Sequence, residues 1–424
     1  MKNTNRIARA IVAVSALLFS GFAFSQTVFK AVQVPGASPN SLIAINNRGQ
    51  VVVNTGTGGS YQVSIWNRIS GAQSMELSGT GTAIDSSGDV VGAGDPYNSG
   101  NLQAFVWRST GGAQWLGSLG GNFSAASGIN NAGAVVGLSY TAAYAQHAFL
   151  WTQASGMQDL TPDLTSIGGA TAVAINSSNH VVGYYFPNGS HNTLGFIWTQ
   201  AGGLQSLGAA GTLAYDVNDS GTVVGQSPAA NGDRHAFVGT QAGGIKDLGT
   251  LGGESSALSI NSRGWIVGTS LTSSGTGILH GFLWTPSGGM QDFTVLAGLA
   301  SCKQIYAAQV NDFGVIAIST NKGGYLLVPK MAATFTSSVN PSVLGQPVTF
   351  TATMTTMIGP PSDGETVQFV AGGKMLGSAK LKGGVAHFTT SAIPAGAHAV
   401  VSTYSGDANY LPSKYMAITQ VVNQ

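Results

Sequence analysis

The amino-acid sequence predicts an all-β protein in which a seven-bladed β-propeller is followed by a β-sandwich. A nine-residue motif, clearest at residues 129–137, occurs seven times before residue 328. Its Asn or Asp recurs at intervals of 39, 45, 46, 42, 43 and 50 residues, and a period of roughly 40–50 residues is typical of propeller blades and of some helical arrays. Gly accounts for 61 of the 424 residues and charged residues for only 8%. This composition excludes a coiled coil and a charge-rich disordered chain.

The first residues predict an export signal. Residues 1–9 carry three positive charges and no negative one, and the next 15 residues are uncharged and mostly apolar before Ser25. This is the pattern of a secretory signal peptide, and the apolar run is shorter than the roughly 20 residues that span a bilayer. We therefore expect residues 1–25 to be removed and the mature protein to be secreted, extracellular or periplasmic, with no membrane insertion after signal removal.

Each repeat begins with a hairpin signal, Asn-x-x-Gly, which fits a type I turn with Gly in the left-handed region. In the fourth repeat Asn179 replaces that Gly, and Asn tolerates a positive φ better than most residues. Val-Val-Gly follows, then a strand with Phe and Trp two residues apart, as at Phe149 and Trp151, and then a fourth strand such as 156–160. Four short strands and no helix make a propeller blade. The hairpins favour antiparallel strands over the rival architecture, an open parallel β-solenoid.

The ends of the repeat region predict how the ring closes. The seventh repeat stops after its third strand, at residues 325–328, and residues 28–34 form an extra strand before the first repeat. We expect this N-terminal strand to complete the last blade, because closure removes open sheet edges. The single cysteine, Cys302, cannot form an internal disulfide. We expect its thiol to be buried rather than to form a disulfide between two chains.

Several motifs carry a family resemblance. Residues 147–151, which read His-Ala-Phe-Leu-Trp, together with His-Ala-Phe at 235–237 and Leu-Gly-Thr-Leu-Gly-Gly at 248–253, resemble the HAF family of bacterial extracellular repeat proteins. The resemblance covers residues 28–328. It implies export and a repeat β fold, and it implies no activity.

Residues 331–424 lack the motif and predict a separate domain. Short alternating segments divided by Gly and Pro turns predict a β-sandwich; the candidate strands are 334–339, 347–354, 365–369, 374–381, 384–389, 398–404 and 415–422. Residues 341–347 and 404–410 resemble bacterial Ig-like repeats, and this resemblance implies a spacer or adhesive module. The predicted organisation is a signal peptide at 1–25, a propeller at 26–329 and an Ig-like β-sandwich at 331–424.

The sequence contains no recognisable catalytic or metal-binding constellation. It has no His-x-x-x-His, Cys pair, calcium loop or nucleophile elbow, so no cofactor, metal or catalytic residue is expected. A net charge of +1 argues against nucleic acid as a partner. Two sets of polar residues each occupy one repeat position, which favours structural hydrogen bonds over catalysis. They are His147, His235 and His280, and Asp159, Asp247 and Asp292.

Enzymatic activity is the alternative function. It would need acids brought together by loops, and carboxylates outside the repeat pattern lie at Asp95, Asp163, Asp233 and Glu254. A pair of them across the mouth of the ring, roughly 5–10 Å apart, could cleave glycosidic bonds. The alternative reading is therefore a propeller-type hydrolase that acts on extracellular polysaccharide.

Aromatic residues in the loops after the second strands predict a ligand-binding face, because Tyr buries contact area at low entropic cost. These residues are Tyr97, Tyr140, Tyr144, Tyr184, Tyr185 and Phe186. Trp265 follows a turn Gly, where an exposed ring could stack on a sugar; packing against a neighbouring turn is the competing interpretation. The sequence thus predicts a monomeric, secreted, non-catalytic binding, adhesion or structural protein. Its expected ligand is an extracellular glycan or a surface protein, and self-association in a matrix is a further possibility.

Overall fold

A computed structural model of the chain describes residues 27–39, 41–57, 60–97, 99–162, 167–190, 192–273, 277–299, 304–357, 359–414 and 417–424. The expected signal peptide at 1–25, Cys302 and Asp163 lie outside these ranges. Among the described residues, no helix is long and apolar enough to cross a membrane.

The fold is all-β, and the strands are short. Strand β1 (Phe29–Gln33) precedes the repeats. The first three repeats contain β2 (Leu42–Ile45), β3 (Gln50–Thr57), β4 (Ser60–Asn67), β5 (Gly71–Ile84), β6 (Val90–Gly94), β7 (Gln103–Arg108), β8 (Gly112–Trp115), β9 (Gly120–Ile129), β10 (Val135–Thr141), β11 (Gln146–Thr152) and β12 (Gly156–Asp159). The next two contain β13 (Ile167–Ile175), β14 (Val181–Pro187), β15 (Leu194–Thr199), β16 (Gly203–Leu207), β17 (Leu213–Val217), β18 (Val223–Pro228), β19 (Arg234–Thr240) and β20 (Gly244–Asp247).

The last two repeats contain β21 (Ser255–Ile260), β22 (Ile266–Leu271), β23 (Leu279–Thr285), β24 (Gly289–Asp292), β25 (Ile305–Val310), β26 (Ile316–Thr320) and β27 (Gly323–Pro329). A one-turn helix, α1 (Phe293–Leu296), follows β24, and the sequence did not predict it. Asp292 caps this turn, since its side chain accepts a hydrogen bond from the Thr294 amide. An Asp at this position favours a helical turn because it satisfies one of the unpaired amides.

The strands of each repeat pair in chain order as antiparallel sheets, for example β12-β11-β10-β9 and β13-β14-β15-β16. Strand β5 is an exception, because it is both the last strand of the first repeat and the first strand of the second. The two repeats therefore share one seven-stranded sheet, β2 to β8. This series of small antiparallel sheets gives a propeller-like all-β fold.

The N-terminal strand joins the last repeat, as the sequence predicts. Strand β1 pairs antiparallel with β27, with Phe29 opposite Pro329 and Gln33 opposite Tyr325. Phe29 is 1% exposed and belongs to the core between the sixth and seventh repeats. The sheet β1-β27-β26-β25 thus joins the two ends of the repeat region.

The core lies between neighbouring sheets. Where a third strand carries both Phe and Trp, the two rings face the preceding repeat: Phe149 and Trp151 pack with Val91, Ala104 and Val106 of the second repeat. The same arrangement recurs in the clusters around Phe105, Phe196 and Phe282. The strand period of two places both aromatic rings on one face, so the pair packs between neighbouring sheets.

The Gly of Val-Val-Gly has a packing reason that the sequence did not show. At Gly137 a Cβ atom would lie 2.0 Å from the Ala125 carbonyl oxygen and 2.9 Å from the Phe149 ring. The second strand is therefore pressed between its inner neighbour and the aromatic ring of the third strand. The same closeness, 1.9–2.0 Å to a backbone oxygen, recurs at Gly92, Gly183, Gly225 and Gly268.

The C-terminal domain is a two-sheet sandwich. Its strands are β28 (Ala332–Ser337), β29 (Ser342–Val343), β30 (Val348–Thr355), β31 (Thr366–Ala371), β32 (Lys374–Lys380), β33 (Val385–Thr390), β34 (Gly396–Tyr404), β35 (Ser413–Lys414) and β36 (Ile418–Asn423). One sheet has the order β28-β30-β33 and the other β29-β36-β34-β31-β32, with β35 on β34. Phe335, Phe350 and Phe369 form stacked or tilted ring pairs in the core between them.

This domain is docked on the repeats rather than held away as a simple spacer. Arg68 of the first repeat donates to the carbonyl oxygens of Asp407 and Tyr410, and burial lowers the pKa of Arg68. The ring of Tyr410 lies edge-on to that of Phe313 in the seventh repeat, with centroids 6.3 Å apart. The loop 407–410 therefore contacts the repeats on both sides of the point where the repeat region closes.

Candidate functional site

The Asn that begins each turn organises the hairpin. In the third repeat Oδ1 of Asn130 accepts from the amides of Ala132 and Ala134, at 3.1 and 3.0 Å, and Gly133 has φ +78°. Equivalent pairs of bonds form at Asn46, Asp85, Asn176, Asn218, Asn261 and Asn311. In the fourth repeat Asn179 takes the left-handed conformation, with φ +59°. The turn predicted from the sequence is therefore present in all of these repeats.

The same Asn side chains join successive repeats. Nδ2 of Asn176 donates to the Asn218 carbonyl oxygen at 3.0 Å. Equivalent bonds of 2.8–3.2 Å run from Asn46, Asn130, Asn218 and Asn261 to the next turn. Asn311 returns to the carbonyl oxygen of Asn46 at 3.1 Å. The series of hydrogen bonds thus returns to the first repeat. The bond between the second and third repeats is missing from it, because the side chain of Asp85 has no amide group to donate.

Residues one position later form a second set of bonds. Oδ1 of Asn131 accepts from the Ser86 amide at 3.0 Å, and so bridges the step that Asp85 leaves open. Asp219 accepts in the same way from Ser177. Asp312 accepts from the Ser262 amide, and its own amide donates to Asn47. Burial acts to raise the pKa of Asp312, but hydrogen bonds donated to its carboxylate by Ser262 and by Nδ2 of Asn47 outweigh it and lower that pKa.

An axial cavity of about 390 Å³ lies inside the ring of inner strands. Each of those strands shows a register shift, which in six repeats lies three residues before the turn Asn or Asp, as between Ala214 and Asp216. In the seventh repeat the shift lies further from the turn, between Ile305 and Ala307. Such bulges re-aim side chains, and residues at the bulges line the cavity. The lining residues include Thr82, Ala83, Ser127, Gly128, Val173, Ala174, Tyr215, Asp216, Leu258, Tyr306, Ala308 and Gln309.

Asp216 is the acidic side chain among the described residues that line the cavity. Its Oδ1 accepts from the Val217 amide at 2.8 Å, and its Oδ2 accepts from the Ile260 amide of the next repeat at 2.9 Å. Burial raises the pKa of Asp216, although these amides and the Ser259 hydroxyl oppose the shift. None of the salt bridges found among the described residues involves this carboxylate.

Sequence reasoning missed Asp216, although a signal existed. It stands two positions before the turn Asn, where four other repeats have Ala or Gly and a fifth has Ser. Only Gln309 matches it in size and polarity at that position. A departure from the repeat pattern on the innermost strand could have marked it.

The predicted aromatic residues divide into exposed and packed members. Tyr97 and Tyr144 are 76% and 75% exposed, and Phe186 is also exposed. Tyr140 is half-buried with its ring 5.3 Å from that of Phe123. Tyr185 packs near Phe196 and its hydroxyl lies 2.7 Å from the Ser206 hydroxyl. The loop face is therefore defined by the exposed rings of Tyr97, Tyr144 and Phe186.

Tyr184 and Trp265 take different places from those expected. The ring of Tyr184 lies edge-on to that of Phe186, with centroids 6.3 Å apart. Burial raises the pKa of Tyr215, and the neighbouring Tyr184 raises it further. Trp265 is only 9% exposed and packs in the core with Phe29 and Phe293. An exposed stacking platform at Trp265 is therefore wrong, because the apolar gap between two sheets takes up its ring.

Three of the four loop carboxylates, Asp95, Asp233 and Glu254, lie among the described residues. Burial acts to raise the pKa of Asp95, but hydrogen bonds from Ser99, Gly100 and Tyr97 outweigh it and lower that pKa. Asp233 accepts from the Asn231 side-chain amide in its own loop, and Glu254 is exposed. A general acid needs a raised pKa, so Asp95 is poorly suited to that role. Among the described residues no group of three His, Cys, Asp or Glu could hold a metal ion.

The repeated His residues pair with the repeated Asp residues. Nδ1 of His147 lies 2.7 Å from Oδ2 of Asp159, and Oδ1 of Asp159 accepts from the Thr161 amide at 2.8 Å. The pairs His235–Asp247 and His280–Asp292 repeat this geometry at 2.8 and 2.7 Å. Each pair joins the third strand to the turn after the fourth, which is a structural role.

Comparison with known proteins identifies the C-terminal domain. Residues 335–423 match the bacterial Ig-like domain (group 3) family. Comparison of the whole chain with curated proteins gave no match.

Solved structures of similar shape were also found. A streptogramin B lyase is 12% identical, with 71% of this chain and 98% of that chain covered and a TM-score of 0.46. The extracellular domain of a hybrid two-component system protein from B. thetaiotaomicron is 8% identical, with coverage of 94% and 60% and a TM-score of 0.46. A gluconolactonase from Xanthomonas campestris is 11% identical, with coverage of 72% and 91% and a TM-score of 0.38. Similarities this low assign no activity to the present chain.

Proposed function

We propose that this protein is a secreted, non-catalytic binding protein whose loop face contacts an extracellular glycan or a surface protein. In this proposal residues 1–25 are a signal peptide, and residues 26–329 form a seven-bladed propeller of HAF-like repeats. Residues 331–424 form the docked Ig-like domain. The mature chain acts as a monomer, in adhesion or as a structural component of the cell surface.

The exposure of Tyr97 and Tyr144 supports this proposal most directly. Both rings are about three-quarters exposed although each could have been buried. Tyr144 also has a φ of +58°, a conformation that costs a non-Gly residue about 1 kcal/mol. A bulky residue that is strained and makes little packing contact has no evident stabilising role. Contact with a ligand supplies a reason for both rings.

The test is binding of residues 26–424 to a panel of glycans and polysaccharides, followed by Tyr97→Ala and Tyr144→Ala. We expect saturable binding to one glycan class and a loss of about fivefold or more in affinity for each variant, since truncation of an aromatic residue that anchors an interface costs more than about 1 kcal/mol. Met375→Ala is the control, because Met375 is 59% exposed on the Ig-like domain and away from the loop face. If no glycan of the panel binds, a surface protein becomes the proposed ligand. Equal losses in all three variants would contradict the proposal.

The alternative, a hydrolase of extracellular polysaccharide, has weaker support. It depends on Asp95, Asp163, Asp233 and Glu254, of which Asp95 has a lowered pKa and Asp163 lies outside the described residues. Release of reducing ends from any polysaccharide that binds would revive it. Abolition of that release by Asp233→Asn or Glu254→Gln would then locate the acids.

A further inference from the structure

The axial cavity is chemically distinct from the loop face and has the size of a ligand site. Its volume of about 390 Å³ falls within the roughly 300–1,000 Å³ of small-molecule pockets. Its wall contains Ile and Ala residues from several repeats and a few polar groups, as such pockets do. Tyr306 is 40% exposed, and Tyr215, Asp216 and Gln309 are half-buried.

The charge of the cavity is one-sided. Among the described residues that line it, Asp216 is the only acidic one, and none is Lys, Arg or His. A carboxylate inside apolar walls produces a strong negative potential, because the low-dielectric surroundings screen it poorly. The two backbone amides that Asp216 accepts from hold both oxygens in place without neutralising the charge.

The remaining polar groups suit a positively charged ligand. Tyr215 and Tyr306 line the same cavity, and the faces of Tyr rings attract cations. The side-chain oxygen of Gln309 can accept a hydrogen bond from an ammonium group. The raised pKa of Asp216 indicates that the carboxylate lacks a compensating charge in the protein alone, and a cationic ligand would supply it.

We propose that the axial cavity binds a small organic cation, with an ammonium group at Asp216 and an apolar body against the Ile-lined wall. A bare metal ion fits less well, because calcium takes 6–8 oxygen ligands and the lining has one carboxylate. Anions are disfavoured by the same charge. The inference is independent of the glycan or protein ligand proposed for the loop face.

The test is calorimetric titration of residues 26–424 with benzylammonium, with benzyl alcohol as the neutral probe of similar shape. We expect benzylammonium to bind at least tenfold more tightly than benzyl alcohol. Its affinity should fall as the pH is lowered and Asp216 is protonated, while the ligand stays charged. Equal affinities, or no saturable binding of benzylammonium, would overturn the proposal.

Variants locate the binding site. Asp216→Asn should weaken benzylammonium at least tenfold and remove the pH dependence, whereas Asp233→Asn, which removes a charge from a loop of the same repeat, should leave both unchanged. Tyr215→Leu should also weaken binding while keeping the carboxylate, which covers the case in which Asp216→Asn fails to fold. Unchanged affinity in folded Asp216→Asn, or in Tyr215→Leu if only that variant folds, would place the ligand elsewhere and refute the assignment.

Discussion

Nδ2 of Asn311 donates a hydrogen bond to Oδ1 of Asn409, 2.8 Å away, and so links the last repeat to the Ig-like domain. Nδ2 of Asn130 makes the corresponding bond to Oδ1 of Asn179, the residue that replaces Gly in the next turn. In the first turn, to which Asn311 donates, Gly49 occupies the position that Asn179 has in the fourth turn. A Cβ atom on Gly49 would lie 2.8 Å from the Ala408 carbonyl oxygen. Asn409 thus supplies from another domain the acceptor that Asn179 supplies within the ring.

Asn409→Ala should destabilise the protein by about 1–3 kcal/mol, because it removes the partner of Asn311 and leaves the Asn47 carbonyl oxygen without its 2.9 Å donor. The measurement is urea unfolding of the full chain. Ser405→Ala changes an exposed residue of the same loop and should stay within about 0.5 kcal/mol of the parent. Equal stability of the two variants would show that the domain contact contributes nothing to the ring.

Phe29→Ala should cost about 3–5 kcal/mol, since a fully buried aromatic ring leaves a cavity where the two ends of the repeat region meet. Removal of residues 26–34 should lower the melting temperature by many degrees for the same reason. Lys30→Ala is the matched control, because Lys30 is the adjacent exposed residue of β1. Melting curves that do not change on removal of 26–34 would contradict closure by this strand.

Gly137→Ala should be severely destabilising, by more than about 3 kcal/mol, because the new methyl group would overlap the Ala125 carbonyl oxygen and press on Phe149. Gly111→Ala should be nearly neutral, since Gly111 has no positive φ and no atom lies within 4 Å of its added Cβ. Chemical unfolding of both variants checks the pair. A mild effect at Gly137 would mean that the second strand can move away from its neighbours.

Asp216→Asn should become relatively more stable than the parent as the pH rises from about 4 to 7. The pKa of Asp216 is raised in the folded protein, so above the ordinary Asp value of about 3.9 the native state holds more protons than the unfolded state. Stability of the parent is therefore lost as the pH rises through that window, and Asn removes this loss. Urea unfolding at pH 4, 5.5 and 7 measures the difference between the two proteins.

A difference that stays constant across this range would show that Asp216 titrates normally. Asp233→Asn again serves as the control, because Asp233 is exposed in its loop. The part of the stability difference between the Asp216 variant and the parent that does not change with pH reports the hydrogen bonds that Asn cannot reproduce.

Much of the fold could be predicted because its signals are local and repeated. The Asn-x-x-Gly turn needs only a side-chain acceptor and a residue that tolerates positive φ, and Asn179 satisfies the second need as Gly133 does. Because successive side chains of a strand point to opposite faces, the two-residue spacing of Phe149 and Trp151 places both rings on one face. The helical turn at Phe293 and the continuous strand β5 were not predicted, since each is one departure from an otherwise regular pattern.

The candidate sites were less predictable, because exposure depends on what lies across the sheet. Tyr97 and Trp265 are both aromatic residues near turns, yet one ring is free and the other fills a gap beside Phe29. Asp216 acquires its character only when seven inner strands enclose it. The departure from the repeat pattern singles out the residue, but no local pattern reports the enclosure.

The amino-acid sequence alone specifies the repeat, its turns and the four strands of each unit, since each depends on neighbours a few residues apart or on a motif that recurs. It also specifies the strand that joins the two ends, because the seventh repeat lacks a fourth strand and residues 28–34 supply one. The tertiary structure decided which Tyr rings are free, where Asp216 lies and how Asn409 meets Asn311. Those contacts join residues from different repeats and domains. Their free energy comes from burial and hydrogen bonding across the ring, and these exist only once the ring has formed.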